Sequence, residues 1–183
     1  DSVYCFVLYI MIFVGIVEDD EEIRHGIVSF LSKQSGFVCD LAVGSVEELL
    51  AALTSENAPQ VLIMDLGLPG MSGVEGISFV KSHYPEMDIV VFSVYNDPKK
   101  IFDCLCAGAT GYLLKNTPFN ELKEGIELLT KGGSPMSPQI ARKVIDFFHP
   151  AKKVEKISPL SDKEKEIVVG LVDGLSYKLI ADR

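Results

Sequence analysis

The sequence predicts an α/β domain: a parallel sheet with helices on both faces, followed by a linker and a short all-α segment. Two observations lead there. Apolar runs of strand length alternate strictly with amphipathic helical patterns through the first 130 residues or so. The residues with most chemistry in them fall where those apolar runs end, which is where open parallel sheets bind ligands.

The elements follow in order. "IFVGIV" (12–17) is the first strand, and Ile23, Ile27 and Leu31 mark the first helix, with Asp20 placed to cap it. "FVCDLAV" (37–43) is the second strand; Val46, Leu49, Leu50 and Leu53 mark the second helix, opened by Ser45 with Glu48 three residues on. "QVLIMD" (60–65) leads into a helix carrying Val74, Ile77 and Val80. "DIVVFS" (88–93) is followed by Asn96-Asp97-Pro98, a helix start, and then Ile101 and Leu105. "TGYLLK" (110–115) precedes a fifth helix with Phe119, Leu122, Ile126 and Leu129, bracketed by Pro118 and Gly132-Gly133. Parallel neighbours need crossover connections, and the alternating helices supply them.

Composition sets outer bounds. The chain has 183 residues, a mean hydropathy of +0.26 and a net charge of −9, which suits one full domain plus a fragment and argues against disorder. Residues 1–139 hold 8 Lys/Arg against 19 Asp/Glu, and residues 140–183 hold 9 against 7. The acidic front part does not attract a polyanion by itself. Four cysteines, at 5, 39, 104 and 106, show no CxxC spacing, so reduced thiols are expected rather than a metal or disulfide framework. Residues 2–17 carry no charge. That run falls short of the ~20 residues of a membrane span and lacks the basic start of a secretory signal. Residues 1–11 are expected to be an appendage leading into the first strand, with Met11 as a natural start and no membrane partner.

The first strand runs into Glu18-Asp19-Asp20, the third ends at Asp65, the fourth at Ser93 and the fifth at Lys115. A parallel sheet brings these ends together. Clustered carboxylates repel, and a hard divalent cation with oxygen ligands, Mg²⁺, relieves this. A carboxylate beside Mg²⁺ is a competent nucleophile toward a phosphoryl group, whose oxygens then need donors. The pattern points to Asp65 as nucleophile, Asp19 and Asp20 as metal holders, and Ser93 and Lys115 as binders of phosphoryl oxygens. Singly, each has a plainer reading: Asp20 also stands where it caps the first helix, and Lys115 also reads as a surface lysine.

"GIVEDDEEIR", "LIMDLGLPGMSGVEGI", "VVFSVYND" and "AGATGYLLKNT" closely resemble receiver domains of two-component response regulators, over residues 12–131. The resemblance implies a flavodoxin-like (βα)₅ doubly wound fold in which Asp65 accepts phosphate from a sensor histidine kinase. It also implies Asp19 and Asp20 as the acidic pair, Ser93 as the switch hydroxyl and Lys115 as the family lysine. The backbone carbonyl of Gly67 becomes a further Mg²⁺ ligand, and Tyr112 the aromatic that turns inward on activation. A rival is the aspartate-nucleophile phosphatase of haloacid-dehalogenase type. That chemistry needs a second Asp two residues past the nucleophile, and the residue there is Gly67, so a leaving alkoxide lacks its acid. The expected protein is therefore a signalling module and not an enzyme.

Residues 132–158 read as a linker with one short helix, "SPQIARKVIDFF", followed by a basic tether. Residues 159–183 show Ser161 with Glu164 as a capping box, Gly174 as a stop and Ser176 as the next cap. They resemble the opening of the LuxR-type helix-turn-helix output domain of NarL/FixJ-type regulators. In that family the helix that enters the major groove comes later, so no DNA-reading residue falls in this chain. The resemblance implies DNA binding only through the full-length output domain, allows a homodimer on phosphorylation, and implies a cytoplasmic protein. The alternative is a stand-alone receiver module acting by protein contact.

Overall fold

The computed structural model describes residues 11–148. Its strands are β1 (Ile12–Val17), β2 (Phe37–Val43), β3 (Val61–Met64), β4 (Asp88–Ser93) and β5 (Gly111–Leu114). Its helices are α1 (Glu21–Leu31), α2 (Val46–Ala52), α3 (Gly73–His83), α4 (Pro98–Ala107), α5 (Phe119–Leu129) and α6 (Pro138–Phe148). The five strands are all parallel, in the order β2-β1-β3-β4-β5. This is the flavodoxin-like order, and its direction reverses between β1 and β3.

Alternation along the strands divides the core in two. Val17, Met64, Val91 and Tyr112 lie with Val46, Leu49, Ile77, Val80 and Ile101, under α2, α3 and α4. Ile16, Ile63, Val90 and Leu113 lie with Ile27, Leu31, Leu122 and Ile126, under α1 and α5. Every residue of β3 is buried, as a central strand covered on both faces requires.

The helix starts follow local chemistry. Asp20 accepts from the N–H groups of Glu22 and Ile23, Ser45 from Glu48, and Asp97 from Lys99 and Lys100 with Pro98 in the first turn. Ser72 and Glu75 form a reciprocal capping box on α3. Each such cap contributes about 1 kcal/mol. Gly108 ends α4 in the left-handed region, at φ +109°, where a Cβ is disfavoured.

Two strands are shorter than their apolar runs suggest. The flanking residues still pair: Gln60 N–H donates to Phe13 O at 2.9 Å, Asp65 N–H to Val17 O at 2.9 Å, and Lys115 N–H to Ser93 O at 3.0 Å. The chain then turns away, so the regular ladder stops one residue earlier at each end.

The residues after α5 pack onto the sheet. Tyr112 N–H donates to Pro135 O at 2.9 Å, and Ser137 N–H donates to Tyr112 O at 3.2 Å. This covers the outer edge of β5, which would otherwise present unpaired peptide groups. Helix α6 lies against α4, and its Ile140 is fully buried in the cluster that holds Tyr112. The short helix expected within residues 132–158 is thus present and carries a core residue. One compact unit extends to Phe148. Residues 1–10 of the appendage expected over 1–11, the basic tether from Pro150 and the helix-turn-helix reading over 159–183 lie outside the described residues. Among the described residues no helix is long and apolar enough to cross a membrane.

Candidate functional site

The carboxyl ends of β1, β3, β4 and β5 lie side by side, because Val17 pairs with Met64, Met64 with Val91, and Ser93 with Leu114. The next residues along these strands therefore converge. Glu18 and Asp65 are buried, at 1% and 4% exposure. Lys115 reaches between them, with Nζ 2.7 Å from Glu18 Oε2 and 3.0 Å from Asp65 Oδ2. Asp65 Oδ1 accepts from Leu66 N–H at 2.7 Å, which orients the carboxylate.

Glu18, Asp19 and Asp65 each offer a carboxylate oxygen within 4.8 Å of the others. Two of these groups share a single ammonium and the third, Asp19, is exposed, so the cluster carries surplus negative charge. Burial is the main cause that raises the Glu18 carboxyl above its ordinary range, and the Lys115 hydrogen bond opposes it. For Lys115, burial works against the charge, but the hydrogen bonds and charges of Glu18 and Asp65 prevail and raise it. An all-oxygen donor set with excess negative charge fits a hard divalent cation.

Asp20 stands differently. Its Oδ1 accepts from Glu22 N–H at 2.9 Å and Ile23 N–H at 3.1 Å, so it caps α1. The structure brings Asp19 and Asp65 together with Glu18, and Asp20 lies outside that group. Arg24 was not singled out by the sequence reading. Its guanidinium donates to the carbonyls of Glu18 and Asp19, fixing the backbone of the acidic loop. Its position four residues after the cap, on the first turn of α1, is the signal that could have found it.

Ser93 ends β4 with its hydroxyl fully buried and, among the described residues, without a hydrogen-bond partner. A buried hydroxyl in that state costs free energy that an incoming acceptor would recover. Gly67 leaves space beside Asp65: a Cβ there would lie 3.4 Å from Asp65 Oδ2 and 3.6 Å from the Tyr95 ring. Gly73 packs so closely that a Cβ would strike the Asp65 carbonyl, which seats the start of α3 against the loop after β3. Tyr112 is fully buried, and its hydroxyl donates to the Tyr95 carbonyl at 2.8 Å. Burial, foremost, raises its phenol well above the ordinary value.

Comparison with known proteins agrees with this geometry. The family described as response regulator receiver domain matches residues 14–127. The chain is 29% identical over 174 residues to the DNA-binding transcriptional activator DevR/DosR of Mycobacterium tuberculosis, covering 94% of this chain and 80% of that protein. It is 29% identical over 165 residues to the response regulator protein VraR of Staphylococcus aureus, covering 90% and 78%. The crystal structure of a two-component response regulator of the LuxR family from Aurantimonas superposes with a TM-score of 0.70 at 25% identity, covering 76% of this chain and 99% of that one. With its strand order, its strand-end acids and lysine, and a family match over most of the described residues, this chain belongs to the response regulator receiver domain family.

Proposed function

We propose that this chain is a phosphorylation-controlled response regulator in which Asp65 accepts a phosphoryl group from a sensor histidine kinase. The observation that carries the reading is the pairing of a buried, lysine-bound Asp65 with a buried Ser93 hydroxyl that has no partner among the described residues. Attack by an Asp65 carboxylate oxygen forms an O–P bond as the bond from phosphorus to the donor's histidine nitrogen breaks. The electron pair leaves with the imidazole. Lys115 and Ser93 then supply donors to the phosphoryl oxygens.

Mg²⁺ would be held by Asp19, Asp65 and the Gly67 carbonyl, with Glu18 completing the acidic pair. When bound it offsets the charge of the carboxylates and of the incoming phosphate. Asp20, engaged at the start of α1, takes the role of helix cap in this reading. Gly67 leaves no acid to protonate a leaving alkoxide, which supports a signalling role over a phosphatase. Once Ser93 engages the phosphoryl group, the space beside it favours an inward Tyr112, and two packings of one fold change in population.

Output through DNA is part of the same proposal, supported by relatives named as DNA-binding regulators. It would run through the full-length output domain, in a cytoplasmic protein that forms a homodimer on phosphorylation. The test is labelling of the chain with acetyl phosphate, read by intact mass. One phosphoryl group per chain is expected, lost when EDTA removes Mg²⁺ and in Asp65→Asn. Labelling that persists in Asp65→Asn would place the nucleophile elsewhere and sink the reading.

A further inference from the structure

The loop between β4 and α4, residues 94–97, is tied down from three elements. Asp97 caps α4 through the Lys99 and Lys100 amides. Tyr112 of β5 donates its hydroxyl to the Tyr95 carbonyl. Lys143 of α6 donates its ammonium to the next carbonyl, that of Asn96. The loop in turn carries the Tyr95 ring to the space beside Gly67 and Asp65 Oδ2, with Lys100 Nζ 3.4 Å from the ring centroid. So β5 and α6 hold adjacent peptide groups of the loop that flanks the phosphoacceptor.

The same two elements are joined elsewhere. Both backbone groups of Tyr112 bond to residues 135–137, and the Ser137 hydroxyl accepts from Leu114 N–H at 3.2 Å. Ile140 and Tyr112 are fully buried in one cluster with Ile101 and Cys104 of α4. A change in how Tyr112 or the loop sits therefore changes the seat of α6.

We propose that Lys143 is a positioning residue for phosphoryl retention, and that α6 is held in its seat by the same equilibrium that turns Tyr112 inward. The inference rests on the phosphorylation reading above and extends it to a helix beyond the five βα units. In the structure an inward Tyr112 and a seated α6 occur together. A phosphoryl group that engages Ser93 favours that arrangement, so phosphorylation tightens the seat of α6. Binding linkage is reciprocal, so loosening α6 at Lys143 disfavours the phosphorylated state.

The test uses the full chain. Hydrogen exchange across residues 138–148 is measured with Mg²⁺ alone and with Mg²⁺ plus beryllofluoride. The decay of the acetyl-phosphate-labelled protein is followed in wild type, Lys143→Ala, Lys143→Arg and Arg142→Ala. Arg142 is a control, since its side chain is 75% exposed and pairs with Asp146. Exchange across α6 is expected to slow with beryllofluoride. Lys143→Ala should shorten the phosphoryl lifetime about fivefold, the low end of coupling between sites, because the loop that holds the Tyr95 ring beside Gly67 loses a tether, with Lys143→Arg restoring it and Arg142→Ala unchanged. A purely structural lysine would leave the lifetime alone. Equal lifetimes in Lys143→Ala and wild type, or α6 exchange unchanged or faster with beryllofluoride, overturn the proposal while leaving Asp65 labelling intact. Failure of wild type to label at Asp65 overturns the phosphorylation reading and this one with it.

Discussion

Replacing Lys115 by alanine should destabilise the domain, and the magnitude follows from the site. Nζ lies 2.7 Å from a Glu18 oxygen and 3.0 Å from an Asp65 oxygen. At an effective dielectric of about 20 these contacts amount to about 6 and about 5 kcal/mol of gross attraction. Desolvation of three charges offsets most of it, so the pairs add little net stability. Removing the cation alone is different, because two carboxylates with 2% and 6% side-chain exposure lose their partner. Such losses run to about 3–5 kcal/mol, and the open Asp19 side of the cluster argues for about 3. The assay is urea unfolding at pH 7 and pH 5. Burial already raises the Glu18 carboxyl, and Lys115→Ala removes the hydrogen bond and charge that oppose that rise. A raised carboxyl binds its proton more readily folded than unfolded, so stability is gained as pH falls, and the deficit should shrink from pH 7 to pH 5. Adding Glu18→Gln should recover about 1–2 kcal/mol relative to additivity, since one unpaired charge is gone. A loss below about 1 kcal/mol at pH 7, with no pH dependence, would mean that the cluster is solvated and the reasoning fails.

Three further outcomes are expected. Ile140→Ala should cost about 2–3 kcal/mol in urea unfolding, against less than about 0.5 for the half-exposed Ile145→Ala; equal values would show that α6 is not seated in the core. Cys106 is exposed, whereas burial, with a smaller contribution from Asp103, pushes the Cys104 thiol up to about 12. Brief alkylation at pH 8 with peptide mapping should therefore mark Cys106 and spare Cys104, and comparable labelling would contradict the packing of α4. Tyr95→Ala should shorten the phosphoryl lifetime several-fold, because Gly67 offers no side chain to keep water from Asp65 and the Tyr95 ring stands next to it; a longer lifetime would count against shielding by that ring.

The sheet was legible because its signals are local. β3 is a continuous apolar run and β4 carries one from Ile89 to Phe92, as strands covered on both faces do. Asp20, Ser45 and Asp97 sit where caps belong and act as caps. The role of the segment after α5 was harder to see. Gly132, Pro135 and Pro138 punctuate it, and such composition reads as a linker. What holds it is non-local: peptide groups of β5, the Ser137 hydroxyl, and a single isoleucine that completes a core built by other elements. A sequence displays the apolar face of a helix, but not the surface that will cover it.

The site shows the same limit at the scale of one residue. Three acids follow β1, and composition alone does not say which two face Asp65. The strand pairing decides it. Val17 is the last residue in register with Met64, so Glu18 is the neighbour of Asp65 and enters the buried cluster with Lys115. Asp20 is two residues further on, where α1 needs an acceptor for its free amides, and the capping bonds claim it. The two demands, charge at the strand end and a cap at the helix start, both select acidic residues. They are satisfied by different members of one run, with Asp19 between them and open to solvent. If that division holds, Asp20→Ser should preserve Mg²⁺-dependent labelling of Asp65 and nearly all of the stability, because serine caps as well as aspartate. Asp19→Ala should leave stability within about 0.5 kcal/mol, as an exposed change does, yet weaken the Mg²⁺ dependence of labelling. The reverse pattern would return the metal to Asp20.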